Sequence, residues 1–402
     1  MRLTIVNQFY LPDLSPTAHL AASLAEHRAA RGDQVTVIAG SGAYTAAPSE
    51  DASGGRENPR LRRIWTPSLG KRSALRRLTD YAAFFIQAKW TLLTLPRQDV
   101  VLLMTTPPYI SLTGIAHRWL HRRARLILWS MDCYPETLER AGLLRLGSPT
   151  DRLLRGVNRW LFRRLESVVC LDEAMRALLE QAYRAPGRPR FAVIPNWEPA
   201  AMFPPGLKPP AWEGVRRLGP EGRQVVLYLG NAGAGHRFET ILEAGKALPA
   251  SQHAFVFIGG GSAWPALEAA RDSMRLENFT LEGYVPKDAT PSVLAAGDVA
   301  LITLRDEMLG VMSPSKLHSA LAMGLPILYV GPAGGNVHEA IERFGCGVSL
   351  RHGDVDGVVA FLTRLRSDPA ARQEYSRKAR HAFDAAYNDE VALARFDTLL
   401  DG

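Results

Sequence analysis

A chain of 402 residues, 47% hydrophobic and 22% charged, is long enough for two globular domains and too apolar to be disordered. Three widely spaced cysteines, Cys133, Cys170 and Cys346, include no C-x-x-C pair; they offer neither a disulfide framework nor a zinc site and point to a reduced, cytoplasmic setting. The charge is uneven: residues 1–200 hold 28 Lys and Arg against 17 Asp and Glu, or +11, while residues 201–402 hold 20 against 23, or −3. A basic half suits nucleic acid, an anionic membrane surface or a phosphorylated substrate, and charge alone does not choose among them.

MRLTIVNQFY has an apolar run too short for a secretory segment and predicts a first β-strand. PDLSPTAH (12–19) follows, between strand and helix, with Ser15, Pro16 and Thr17 on the wall of any cleft above the strand. AHLAASLAEHRAARGD has helical spacing and ends at Arg31-Gly32, a basic last turn and a C′ glycine. Further continuous apolar runs, VTVI (35–38), VVLLM (100–104), RLILW (125–129), SVVCL (167–171) and FAVI (191–194), alternate with helical patterns, as in a parallel sheet covered on both faces.

Between them, residues 61–90 interleave arginines with tryptophans and suit either a solvated helix face or an anionic membrane surface. The apolar stretch 82–95 carries Lys89 and is shorter than the roughly 18 residues a bilayer requires. WSMDCYPE (129–136) places Asp132 and Glu136 at a strand's carboxyl end, where substrates are met in open α/β sheets; an Asx-turn or helix cap is the structural alternative for Asp132.

After the proline-rich stretch 199–214, a second strand series begins: QVVLYL (224–229), AFVFI (254–258), FTLEG (279–283), DVALIT (298–303), PILYV (326–330) and GVSL (347–350). Two α/β units with a Pro/Gly-rich join predict two Rossmann-like domains facing across a cleft, followed by a helical tail from about residue 368. LGNAGAGHR carries Gly230, Asn231, Gly233, Gly235, His236 and Arg237 in a G-x-x-G-x-G spacing that is neither a dinucleotide fingerprint nor a phosphate-binding P-loop. It suits close backbone approach to a ligand or a plain turn.

GVMSPSKLHSALAMG (310–324) predicts a helix over 314–323 with Ser313 as N-cap and Pro314 as first residue. Lys316, in its first turn, opposes the helix dipole; it is either an ordinary exposed lysine or the partner of a bound anion. Asp354-Val355-Asp356 imitates a metal motif but precedes a helix, where acids favour the N-terminus. Gly40-Ser41-Gly42 lacks the pattern of a nucleophile elbow.

Taken together, NQFYLPD, RGDQVTVIAG, DCYPETLERAGLL, VIPNWEP, YLGNAGAGHRFETILEA and GVMSPSKLHSALAMGLPIL resemble the family 4 glycosyltransferases, in particular the bacterial branch that builds capsule, O-antigen or exopolysaccharide. The resemblance implies an α/β GT-B fold: residues 1–205 as an acceptor-binding domain onto which a helix of about 385–402 packs back, and residues 206–384 as a nucleotide-sugar-binding domain. It implies a retaining hexosyltransferase that moves sugar from a nucleotide diphosphate sugar to a glycan or polyprenyl-diphosphate-linked acceptor. No cofactor or metal is expected, nor nucleic acid as a partner. The setting is cytoplasmic, peripheral on the inner membrane face through the basic half. A nucleotide sugar 2-epimerase of the same fold and an inactive scaffold are the alternatives.

By the same resemblance, Arg237 and Lys316 contact the donor diphosphate and join Asp132 as the catalytic set. The donor also meets Gly230, Asn231, Gly233, Gly235 and His236, the loop Gly310, Val311, Met312 and Ser313, and Tyr284-Val285 beside the base. Ser15, Pro16, Thr17 and Glu136 stand on the acceptor side. The family's paired glutamates fall at Val311 and Ser319, so a carboxylate for the nucleotide ribose is missing. Asn231 replaces an arginine, and Met131 the histidine before Asp132.

Overall fold

The computed structural model describes residues 1–13, 15–41, 58–67, 74–187, 189–217 and 222–402. Leu14 of the PDLSPTAH stretch, residues 68–73 of the basic stretch and Gly42 lie outside them. The chain divides into two compact units, one of residues 1–171, 175–194 and 393–402, the other of residues 172–174 and 195–392.

The first unit is built from β1 (Arg2–Val6), α1 (Pro16–Ala30), β2 (Gln34–Gly40), β3 (Arg60–Ile64), α2 (Ala74–Thr94), β4 (Val100–Leu103), α3 (Ser111–Leu120), β5 (Arg125–Trp129), α4 (Glu136–Arg140), α5 (Pro149–Phe162), β6 (Ser167–Cys170), α6 (Glu173–Tyr183) and β7 (Arg190–Val193). The strands form one parallel sheet in the order β3-β2-β1-β4-β5-β6-β7. Strands such as β4, VVLL, are buried at every position because helices cover both faces, which is why they read as unbroken apolar runs.

The expectation for residues 61–90 needs correction. Its start is an edge strand, β3, paired to β2 from Arg60 to Ile64. The Arg63 guanidinium is committed to carbonyls, donating to Gly40 O (3.0 Å) and to Leu11 O. Only from Ala74 does the segment become helix.

The second unit comprises α7 (Glu213–Arg217), β8 (Gln224–Asn231), α8 (Glu239–Ala247), β9 (His253–Gly260), α9 (Trp264–Met274), β10 (Phe279–Glu282), α10 (Thr290–Leu294), β11 (Val299–Thr303), α11 (Lys316–Ala322), β12 (Ile327–Val330), α12 (Asn336–Phe344), β13 (Gly347–Leu350), α13 (Val355–Ser367) and α14 (Pro369–Ala382). Its parallel sheet runs β10-β9-β8-β11-β12-β13. Phe255 and Phe279 stack at 4.5 Å in its core, beside Phe257 and Val226. Asp354 caps α13, accepting from Gly357 N at 2.9 Å, so the acid pair there is a helix start.

The last helix, α15 (Asp389–Asp401), ends in the first unit. There Phe396 packs on Trp129 at 4.6 Å, and Arg28, buried in α1, meets Asp33 (2.6 Å), Asp397 (2.7 Å) and Asp401 (2.5 Å). Among the described residues no helix is long and apolar enough to cross a membrane.

Candidate active site

In both sheets strand order reverses beside the first strand, between β1 and β4 and between β8 and β11. Loops leaving adjacent strands in opposite directions open a crevice at such a switch point, and ligands of open α/β sheets bind there. The polar loop residues of the second unit lie at its switch point, and those of the first unit follow β4 and β5, on one side of its own.

In the second unit, β8 and β9 run together to their carboxyl ends, with Gly230 opposite Gly259. Gly259 has φ +145°, and a Cβ on it would stand 2.1 Å from Gly230 O, so only glycine permits the approach. The glycine turn after β8 then meets the loop after β11: a Cβ on Gly235 would stand 2.3 Å from Met312 Sδ. Arg305 fastens the two, its backbone N–H donating to Gly235 O (2.9 Å) and its Nε to His236 O (3.2 Å).

Lys316 reaches across this junction. Its Nζ donates to Asn231 O (3.0 Å), lies 3.4 Å from His236 Nε2 and sits 4.7 Å above the Tyr228 ring. Tyr228 OH donates to the same Asn231 carbonyl at 2.9 Å. His236 Nδ1 is 2.7 Å from Thr303 O, and because a carbonyl only accepts, Nδ1 carries the proton. The lone pair of Nε2 therefore faces the lysine. Burial, together with the Lys316 charge, depresses the His236 pKa to about 3, which keeps the ring neutral. Burial also lowers Lys316, to about 8. Among the described residues no carboxylate pairs with Lys316: its polar partners there are one carbonyl and one imidazole. A partly buried cation without a counter-charge is costly unless an anion arrives.

The expected helix over 314–323 starts later. α11 begins at Lys316, with Ser315 in the cap position and no side-chain cap bond. Pro314 belongs to the loop because its carbonyl is engaged by the buried Asn336, whose Nδ2 donates at 3.3 Å from the head of α12. Ser313 is therefore not the cap, and at seven residues α11 is too short for its dipole to weigh as much as the Lys316 charge. Val311 is fully buried, and Ser319 turns its hydroxyl back on Lys316 O at 3.5 Å; neither offers a carboxylate. Gly310, at φ +79°, turns the loop. Tyr284 is exposed, its hydroxyl 3.3 Å from Asn231 Oδ1, and Val285 follows it. Gly233 accepts the His236 N–H at 3.1 Å.

Arg237 is not brought to Lys316. Its side chain is exposed and its Nε donates to Glu239 Oε2 at 3.2 Å. Three residues of the junction escape sequence reasoning: Tyr228 reads as an ordinary strand residue, Thr303 as a strand end, and Arg305 as a loop cation whose only signal is its position just past a strand.

In the first unit, the loops after β4 and β5 are joined where Met131 N and Asp132 N both donate to Thr105 Oγ1 at 3.1 Å. Ser130 Oγ donates to Asp132 O at 3.2 Å, but among the described residues no group pairs with the Asp132 carboxylate, and burial raises its pKa. Asp132 borders a small cavity of about 30 Å³ lined also by Thr105, Tyr109, Ser130 and Asn158.

Glu136 departs from its expected role. It is buried, receives a hydrogen bond from Tyr183 OH and pairs with Arg155 at 3.1 Å, within a cluster in which Arg155 also holds Glu139 and Asp151. That arrangement fixes α4 against α5. At the head of α1, Ser15 and Thr17 hydroxyls bond each other at 2.8 Å, and Pro16 is the first helical residue. Among the described residues no hydrogen bond joins them to Asp132.

Two parallel sheets of Rossmann type, each with polar groups gathered at the carboxyl ends of its strands, define the GT-B class. The likeness extends to solved structures: sucrose-phosphate synthase from Thermosynechococcus elongatus (TM-score 0.74, 15% identity, 100% of this chain and 98% of that one) and HepE from Anabaena in complex with UDP and glucose (TM-score 0.72, 15% identity, 100% and 99%). Residues 17–197 match the glycosyl transferase 4-like domain and residues 215–382 the glycosyl transferases group 1. The chain belongs to the family 4 glycosyltransferases, a retaining family. It is 29% identical to the probable glycosyltransferase WbjE of Pseudomonas aeruginosa over 62% of either chain, so the match leaves more than a third of that relative uncovered. It is 24% identical to the putative colanic acid biosynthesis glycosyl transferase WcaI of Escherichia coli K12 over 98% of both.

Proposed function

We propose that the protein transfers a sugar from a nucleotide diphosphate sugar to a lipid-linked or glycan acceptor, with retention of anomeric configuration, in the building of a cell-surface polysaccharide. The second unit holds the donor and the first unit the acceptor. The observation that carries this is Lys316: an uncompensated ammonium at the switch point, held between Asn231 O and the bare Nε2 of His236.

When the glycosidic bond to the donor breaks, negative charge develops on the leaving diphosphate. A cation already fixed by surrounding groups stabilises it without reorganising. Arg237 is free to join, since an exposed ion pair such as that with Glu239 is worth only about 0–1 kcal/mol and yields readily to a diphosphate. Asp132, whose carboxylate has no partner among the described residues at the carboxyl end of β5, suits a hydroxyl of the acceptor. With Val311 and Ser319 in place of carboxylates, the ribose is held by other groups. One relative, the putative colanic acid biosynthesis glycosyl transferase WcaI, supports a role in polysaccharide assembly, and HepE, in complex with UDP-glucose, carries a nucleotide sugar on this fold.

The test is thermal stabilisation across a panel of nucleotide diphosphate sugars, because a ligand that binds only the folded state raises the melting point. One donor should stabilise the wild type, and Lys316→Met should lose most of that shift. Equal stabilisation of both proteins by that donor overturns the assignment. Formation of an epimerised nucleotide sugar without acceptor replaces transfer by epimerisation.

A further inference from the structure

We propose that the α3–α5 surface of the first unit docks on an anionic lipid bilayer. This rests on the reading that the acceptor is lipid-linked, and it places the membrane contact elsewhere than the 61–90 stretch does.

α1 joins β1 to β2 in one direction along the sheet, whereas α3 and α5 join β4 to β5 and β5 to β6 in the other. Right-handed crossovers running in opposite directions lie on opposite faces, so α3 and α5 share a face that α1 does not. Their ends are tied by a hydrogen bond from the Arg118 guanidinium to Arg164 O. Along α5, Arg152, Leu153, Arg159 and Trp160 recur at seven-residue intervals and form one outward stripe. Leu153 is 66% exposed, and Arg164 lies over the Trp160 ring at 3.9 Å. Trp119 (69%) and Leu120 (59%) extend the stripe from the end of α3, followed by exposed Arg122 and Arg123. At the other end, in the loop before α5, Leu143 (77%) and Leu146 (70%) flank exposed Arg145.

Charge decides the occupant. Residues 111–131 contain no Asp or Glu, and residues 141–165 contain only Asp151, which is buried and paired with Arg155 at 2.8 Å. A second copy of this surface would set arginine against arginine. Nucleic acid would leave Leu143, Leu146 and Leu153 in water beside a phosphate backbone. An anionic bilayer satisfies both features, taking leucine and tryptophan at the headgroup boundary and arginine at the lipid phosphates. α5, at 14 residues and about 21 Å, is too short to span a bilayer but long enough to lie along one. Leu143 and Leu146 lie in the connection that leaves the carboxyl end of β5 through the Asp132 loop, so docking brings that edge toward the headgroups of a lipid-linked acceptor.

The test is flotation of the full chain with vesicles of phosphatidylcholine alone or mixed with phosphatidylglycerol. Binding should require phosphatidylglycerol and weaken with salt. The R152Q/R159Q pair should lower partitioning about fivefold per arginine, and W119S/L153S should lower it comparably. Trp65→Ser, in the 61–90 stretch, should leave it unchanged. Equal binding to both vesicle types, or unchanged binding in both double variants, overturns the proposal; so does a dimer that the double variants dissolve while vesicles are not bound. Circular dichroism melts confirm that the variants fold. Transfer to a water-soluble acceptor analogue separates the two claims: transfer without vesicle binding removes the docking surface alone, and vesicle binding without transfer from any nucleotide sugar removes the activity alone.

Discussion

Two cations withdrawn from solvent, Arg28 and Lys316, are treated in opposite ways. Arg28 is ringed by Asp33, Asp397 and Asp401, and although burial disfavours its charge, the three carboxylates raise its pKa overall. Lys316 has a carbonyl and an imidazole for company, and burial lowers it to about 8. The first is a cation whose counter-charge the fold provides; the second has none among the described residues, and in the proposed function the donor diphosphate supplies it. Charge balance therefore distinguishes these two cations, where burial alone would not.

Removing Arg28 should have the largest effect. Arg28→Ala leaves carboxylates facing one another in a partly buried pocket, at a cost of about 3–5 kcal/mol. For a unit of this size each kcal/mol lowers the melting point by roughly 2–4 °C. Turnover per folded molecule at low temperature should stay near wild type, and a large loss there would blur the distinction. The pH dependence has a definite sign. The Arg28 guanidinium holds Asp401 below the usual carboxylate range, so its contribution is present above pH about 4 and is lost as acid protonates the folded carboxyl. Urea melts from pH 3 to pH 7 should show that slope in the wild type and a weaker one in Arg28→Ala.

Lys316→Met should do the reverse. Loss of one preorganised charge at a leaving group lowers turnover by about 10²–10³-fold, while stability at pH 7 should be no lower than wild type. A lysine whose folded pKa is depressed carries a penalty while protonated, and methionine removes it. A Lys316→Met protein with wild-type turnover would end the claim that this cation serves the donor.

The same depression sets an alkaline limit. In the free enzyme Lys316 loses its proton above pH about 8, so kcat/KM for the donor should fall about tenfold per pH unit beyond that point. Lys316→Arg, which stays charged, should flatten the limb whatever its absolute rate.

These differences also mark what the sequence discloses. Apolar strands were legible because both faces are buried; β3 was not, since RLRRI is an edge strand whose three arginines interrupt the apolar run and only Ile64 is fully packed. Lys316 stood out as a cation at a helix start, and His236 by its place after the glycines. Tyr228, which completes the site, was hidden in a strand. Ser313-Pro314 imitated a helix cap because its competitor, Asn336, lies 22 residues away. Glu136 looked like a companion of Asp132, yet its partners are Arg155 and Tyr183, 19 and 47 residues on. Local chemistry was readable, and pairing across the fold was not.

Ser319→Glu tests charge balance with the smallest expected effect. Position 319 lies one turn beyond Lys316 on α11, at the three-residue spacing that lets helix side chains meet. A glutamate there would give Lys316 part of what Arg28 already has. Such pairs are worth about 0.2–0.5 kcal/mol, so the alkaline limb of kcat/KM should move up by roughly 0.2–0.4 pH units. The resemblance that places a glutamate at 319 implies a ribose contact, which would lower the donor KM and leave the limb where it is. Measuring the limb and the KM on one variant separates the outcomes. A raised limb with unchanged KM makes the carboxylate a counter-charge to Lys316, whereas a lowered KM with a fixed limb makes it a ribose ligand and leaves the lysine uncompensated by the protein.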